Sequence, residues 1–197
     1  MGVTNSGKTT ALKYLDRMIF SLFPTVRHYI LDTKIEGDDF AFYEGVHIGS
    51  HAPKPPKKRY QVWRCPKVIP EQLEKWLWGI RKDAPAFLCV DELHSLCYGR
   101  NAYSDEYNLI QKWGRAAPIG VVTGTQELVR IPPNAFKQST HRLRFYMEGR
   151  YDRSIANDMI KRKVEEPVDP FGVYYQHINR REEPLYFKDI QTLLRGE

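Results

Sequence analysis

Gly2-Val3-Thr4-Asn5-Ser6-Gly7-Lys8-Thr9-Thr10 stands at the start of the chain, and the reading of this stretch decides the fold. The pattern is G-x-x-x-x-G-K-T, a loop that wraps nucleotide phosphates. Gly2 and Gly7 permit a tight turn, so that successive backbone N–H groups point inward at the α- and β-phosphates. Lys8 is placed to reach the β- and γ-phosphates and the Thr9 hydroxyl to coordinate Mg²⁺, which makes ATP and Mg²⁺ the expected cofactors. The helix that begins here adds the positive end of its macrodipole. The expected nucleotide contacts are Gly2, Thr4, Asn5, Ser6, Gly7, Lys8, Thr9 and Thr10. Such loops normally follow a buried strand, yet only Met1 precedes this one. The expectation is that a short apolar strand is encoded upstream.

Working outward, residues 9–22 carry Leu12, Leu15, Met18, Ile19 and Leu22 at helical spacing, ending before Pro24. His28 to Leu31 reads as a short strand running into Asp32-Thr33-Lys34, and residues 40–48 as room for another. Residues 49–59 hold three prolines, a glycine and a basic cluster, which predicts an exposed loop. Residues 60–65 alternate like a strand, and Pro70 starts a helix with Leu73, Trp76, Leu77 and Ile80 on one face. Ala86-Phe87-Leu88-Cys89-Val90 is an unbroken apolar run, the mark of a strand buried on both faces of a parallel sheet. A helix over 107–116, a strand over 120–126, a strand over 141–147 and a helix over 153–162 follow. Residues 172–178 and 185–187 form a hairpin, and residues 189–194 a last helix. Strands alternating with helices predict an α/β fold, a mostly parallel sheet covered on both faces, with a C-terminal β-hairpin. One domain is expected over residues 1–197, with the core in 1–147 and a helix, hairpin and helix in 148–197.

The bulk properties narrow the class. The 197 residues carry a net charge of +6 and a pI of about 9.2, which tilts the balance toward a polyanionic partner. Cys65, Cys89 and Cys97 show no paired spacing, which argues against a disulfide framework or a zinc site. No apolar run reaches the roughly 18 residues that a bilayer span needs. A soluble, cytoplasmic protein is expected.

Chemistry concentrates around the central apolar run. Phe87 to Val90 delivers Asp91 and Glu92 at a strand's carboxyl end, where open α/β sheets bind ligands. Asp91 would hold Mg²⁺ through its water shell, and Glu92 would polarise the water that attacks the γ-phosphate. An Asp-Glu pair after a strand also suits a plain helix start; it is the phosphate loop upstream that selects catalysis. Gln126, at the end of the next apolar stretch, would sense the γ-phosphate or position water, or else is a polar turn residue. Arg115, before that stretch, offers a planar cation for the charge that builds on the transferred phosphoryl group, or else a solvated last-turn arginine.

The phosphate loop, Asp32-x-Lys34, the Asp91-Glu92 strand, Arg115 and the Val121-Val122-Thr123-Gly124-Thr125-Gln126 segment come in an order that resembles the FtsK/HerA superfamily of P-loop ATPases, over residues 2–147. The small size resembles most the genome-packaging ATPases of membrane-containing icosahedral viruses. The resemblance implies a RecA/FtsK-like fold, a homo-hexameric ring, and double-stranded DNA as the translocated partner. It also implies Arg115 acting in trans on a neighbour's nucleotide and Gln126 as the sensor. A capsid or membrane-vertex protein is a further implied partner, with residence in host cytoplasm or virion. Another DNA-pumping or phage-assembly ATPase of the superfamily, and a nucleotide-binding module that does not hydrolyse, stay open as alternatives. For the DNA path two segments stand out: residues 94–103, with Arg100 among tyrosines, and the loop of Lys54, Lys57, Lys58 and Arg59. A solvated surface loop is the competing reading for both.

Overall fold

The computed structural model describes residues 7–34, 40, 43–99, 102–113, 116–160, 164, 167, 169, 171–177 and 182–195. Its centre is a sheet of five strands, all parallel. They are β1 (Arg27–Asp32), β2 (His47–Ile48), β3 (Tyr60–Arg64), β4 (Ala86–Val90) and β5 (Ile119–Thr123), in the order β2-β3-β1-β4-β5. Every residue of β4 is buried, as an apolar run in a doubly covered sheet must be.

Side chains alternate across this sheet with period two, so each strand feeds two cores. Tyr29, Leu31, Trp63, Leu88 and Val90 face one side. There they meet Leu73, Trp76, Leu77 and Ile80 of α2 (Pro70–Lys82) and Tyr107 and Ile110 of α3 (Asp105–Trp113). Ile30, Val62, Phe87 and Cys89 face the other side, against Leu12 of α1 (Lys8–Leu22) and Phe40 and Tyr43. The helices expected on both faces are there. On the α1 side, Asp16 lies beneath the surface with its carboxylate 2.9 Å from His28 Nδ1 and 2.5 Å from the Tyr43 hydroxyl, tying α1 to β1.

A second sheet, antiparallel, joins β6 (His141–Arg144), β7 (Val173–His177) and β8 (Leu185–Phe187) in that order. The β7–β8 hairpin matches its expected place, and the pairing of β6 along β7 extends it to three strands. Phe145 and Val173 pack on Ala11 of α1, with Phe187 and Leu193 around them. Three further short helices lie among the described residues, α4 (Asn134–Lys137), α5 (Arg150–Met159) and α6 (Ile190–Arg195).

Several boundaries differ from expectation. The 120–126 strand ends at Thr123, and Gly124 to Gln126 leave the sheet in a turn. The 141–147 strand ends at Arg144. Residues 94–96, expected as a loop, lie in a 3-10 turn over Leu93–Leu96 whose Leu93 and Leu96 are buried in the core. Two leucines three apart supply the apolar anchor that holds this turn down. Among the described residues no helix is long and apolar enough to cross a membrane.

Candidate active site

The registers decide where the chemistry collects. Leu31 pairs with Val90, and Val90 with Thr123, so the residues just past β1, β4 and β5 emerge side by side at one end of the sheet. These are Asp32, Asp91-Glu92 and Gly124-Thr125-Gln126. The amino end of α1 comes to the same place.

Gly7 caps α1 with φ of +89°, a left-handed conformation that glycine adopts without a Cβ penalty. An added Cβ would also lie 3.4 Å from Phe171 and 3.5 Å from Phe145. Phe145, just past β6, and Phe171, just before β7, therefore pack against the end of the phosphate loop, a contact that no sequence motif announced.

Lys8 is buried, and its Nζ lies 3.0 Å from Glu92 Oε2. The other carboxylate oxygen of Glu92 accepts the Gln126 backbone N–H at 2.9 Å and lies 3.3 Å from His94 Nδ1. Burial pushes the Glu92 carboxyl up, but the His94 hydrogen bond and the Lys8 charge outweigh it and hold the group near 2. Thr9 Oγ1 donates to Asp91 Oδ1 across 3.4 Å. Burial pushes the Asp91 carboxyl above its ordinary range, with the Lys34 and Lys8 charges holding back the rise. Lys34 Nζ stands 3.2 Å from Thr9 Oγ1 and 3.7 Å from Asp91 Oδ2.

Lys8, Thr9, Asp91, Glu92 and Gln126 are thus brought together, while Thr10 lies exposed on the first turn of α1. It is the Gln126 main chain that meets Glu92, because the strand stops short of it. Gly2, Thr4, Asn5, Ser6, Arg100 and Arg115 lie outside the described residues. Lys54, Lys57 and Lys58 are exposed on the loop before β3, with Lys58 3.5 Å from Glu44. Arg59 departs from expectation. It turns inward over the Phe20 ring, 3.4 Å from its centroid, and donates to the Phe20 and Pro24 carbonyls at the end of α1. A cation there satisfies carbonyls that the helix leaves open, so it is removed from the basic cluster. His94 approaches Glu92, a neighbour the loop reading of 94–103 did not foresee.

The Thr9 hydroxyl and the Asp91 carboxylate offer two hard oxygens, which suits Mg²⁺ when phosphates and water complete its shell. Among the described residues no group of three His, Cys, Asp or Glu could hold a metal by itself.

Gly124 keeps the parts in contact. A Cβ there would sit 2.7 Å from the Asp91 carbonyl oxygen, 2.8 Å from Leu12 Cδ1 and 3.3 Å from Lys8 Cδ. Gly124→Ala should destabilise the protein by about 1–3 kcal/mol, read as a lowered urea midpoint at unchanged slope.

No family model and no curated protein matches this sequence. Solved structures do. The DNA-packaging ATPase B204 from Sulfolobus turreted icosahedral virus superposes with a TM-score of 0.73 at 16% identity, covering 96% of this chain and 95% of that one. The genome-packaging NTPase B204 from Sulfolobus turreted icosahedral virus 2 gives 0.72 in complex with AMPPCP, over 96% and 95%. The same NTPase gives 0.67 in complex with ATP-gammaS, over 96% and 94%, both at 16% identity. The chain has the B204 fold. The likeness runs beyond the 2–147 stretch that carried the sequence resemblance and takes in the C-terminal sheet.

Proposed function

We propose that this chain is an ATP-hydrolysing motor that moves double-stranded DNA during viral genome packaging. The observation that carries the proposal is the buried convergence of Lys8, Glu92, Thr9 and Asp91 at the carboxyl end of a parallel sheet. The likeness to packaging ATPases narrows the task such a site would serve. Thr9, and Asp91 through the water shell, would hold Mg²⁺, which would supply charge neutralisation at the γ-phosphoryl group.

The chain's own groups do the rest. Glu92, hydrogen-bonded by His94 and paired with Lys8, is too weak a base to take a proton from water. Phosphate oxygens compete with Glu92 for the Lys8 ammonium, and as the lysine turns to them the carboxylate regains the part of its basicity that Lys8 removes, the larger acidifying contact from His94 staying in place. Binding thereby arms the base. The Gln126 N–H and His94 keep the carboxylate aimed during this exchange. Arg115 from a neighbouring copy would supply the remaining cation, which requires a ring; a hexamer with a capsid or membrane-vertex partner is the assembly we propose.

The test is phosphate release from ATP with and without double-stranded DNA, in Mg²⁺ or EDTA. Mg²⁺-dependent release stimulated by DNA is the expected result. Nucleotide binding without turnover would instead indicate a binding module. Lys54, Lys57 and Lys58 are proposed to grip DNA phosphates. Replacing all three by alanine should weaken DNA binding uniformly across sequences and flatten its salt dependence by about two to three units of slope. An unchanged slope would remove this loop from the DNA path.

A further inference from the structure

Lys34 has no part in the mechanism above, yet it reaches the two oxygens proposed to seat the metal. Its Nζ is 3.2 Å from Thr9 Oγ1 and 3.7 Å from Asp91 Oδ2, and those two side chains are themselves 3.4 Å apart. The base of the side chain is fixed. The Lys34 N–H donates to Asp32 Oδ1 at 3.1 Å, and Asp32 Oδ2 accepts from Arg64 Nε at 2.8 Å on the neighbouring strand. The far end lies nearer the surface: the Lys34 side chain is one-third exposed, whereas that of Asp91 is 4% exposed. A lysine stem has four rotatable carbons, so the ammonium can leave toward solvent without moving β1.

We propose that Lys34 is a tethered competitor for the metal seat, a positioning residue that must swing away before Mg²⁺ engages Thr9 and Asp91. This rests on the reading of the site as one for Mg²⁺ and a nucleoside triphosphate. Mg²⁺ binds oxygen at about 2.0–2.1 Å with near-octahedral geometry. An ammonium 3.2 Å from Thr9 Oγ1 and 3.7 Å from Asp91 Oδ2 would then stand next to a dication in a poorly solvated pocket, and the two repel strongly. The seat takes one or the other. Such competition raises the Mg²⁺ concentration needed for loading, and it keeps the buried Asp91 carboxylate compensated until the nucleotide brings its own cation.

Lys34→Met keeps the length and apolar stem of the side chain and removes the charge. The probe is a fluorescent ADP analogue, titrated with Mg²⁺ so that hydrolysis plays no part. For the variant, the Mg²⁺ concentration giving half of the metal-dependent gain in affinity should fall about tenfold. Its melting temperature in EDTA should also fall, and recover with Mg²⁺ and ADP. An unchanged Mg²⁺ midpoint overturns the proposal. So does a loss of affinity that is equal in EDTA and Mg²⁺, which would mark Lys34 as a phosphate contact. If Lys34→Met does not fold, Lys34→Gln, which can still donate to Thr9, is read by the same criteria. Wild-type protein that binds no nucleotide in either condition overturns the nucleotide-site reading itself, and the role of Lys34 with it.

Discussion

Glu92→Gln should slow ATP turnover by about 10²- to 10⁴-fold, the range that a lost general base removes. Binding should move the other way. The amide can still accept the Gln126 N–H, but it gives up the charge that holds the Lys8 ammonium at 3.0 Å. Phosphates then have no rival for Lys8, so ADP and non-hydrolysable ATP should bind more tightly than to the wild type. The free variant should be less stable, with a buried lysine lacking its anion, and nucleotide should restore the loss. Calorimetric titration, thermal melting and a turnover assay on one preparation check all three. Turnover within a factor of three of wild type would remove Glu92 from the role of base. The pH response has a definite sign. With its folded value near 2, below the ordinary 4.5, Glu92 contributes stability that is present above about pH 4.5 and is lost as pH falls toward 2.

Lys8→Ala should be damaging in a different pattern. It removes the phosphate contact, so nucleotide binding and turnover should both disappear. It also leaves Glu92 charged and buried, with side-chain exposure of only 8%. Breaking a buried pair from one side costs about 3–5 kcal/mol, and because Glu92 keeps the Gln126 N–H, about 3 kcal/mol is expected here, measured by urea unfolding. Adding Glu92→Gln to Lys8→Ala should recover a large part of that loss, since the amide tolerates burial better than an unpaired charge. A double-mutant cycle reports the coupling directly. Additive losses would show that the ion pair contributes little.

The readable parts of this chain were those whose signal is local. The G-K-T pattern points to Lys8 and Thr9, and the five-residue apolar run marks β4 to the residue, with Asp91 and Glu92 directly after it. The helical spacing of Leu73, Trp76, Leu77 and Ile80 identified the face that α2 buries. What was hidden depends on partners distant in sequence. Arg59 looked like a member of a basic cluster because its neighbours are basic; only the fold shows the Phe20 ring and the helix end it serves. The brace that Phe145 and Phe171 give Gly7 arises from a sheet with no motif. By sequence Gln126 stands at a strand end, because Thr123-Gly124-Thr125 continues the stretch begun by Val121 and Val122. The chain turns at Gly124, where the close approach of Asp91 and Leu12 leaves no room for a side chain. In the sequence Lys34 is only half of the Asp32-x-Lys34 pattern; its reach to Thr9 and Asp91 follows from the β1–β4 register.

The all-parallel sheet also governs how the protein reaches its folded state. No strand of that sheet pairs with a neighbour made by a tight turn; β1 must find β3 and β4, and β4 must find β5, each across an intervening helix or long loop. Loop closure on that scale comes before any pairing energy is gained, which places such topologies among the slower folders. The completely buried β4 is then the segment most exposed to misassociation during synthesis, and a nucleotide present at that stage would favour the assembled end of the sheet.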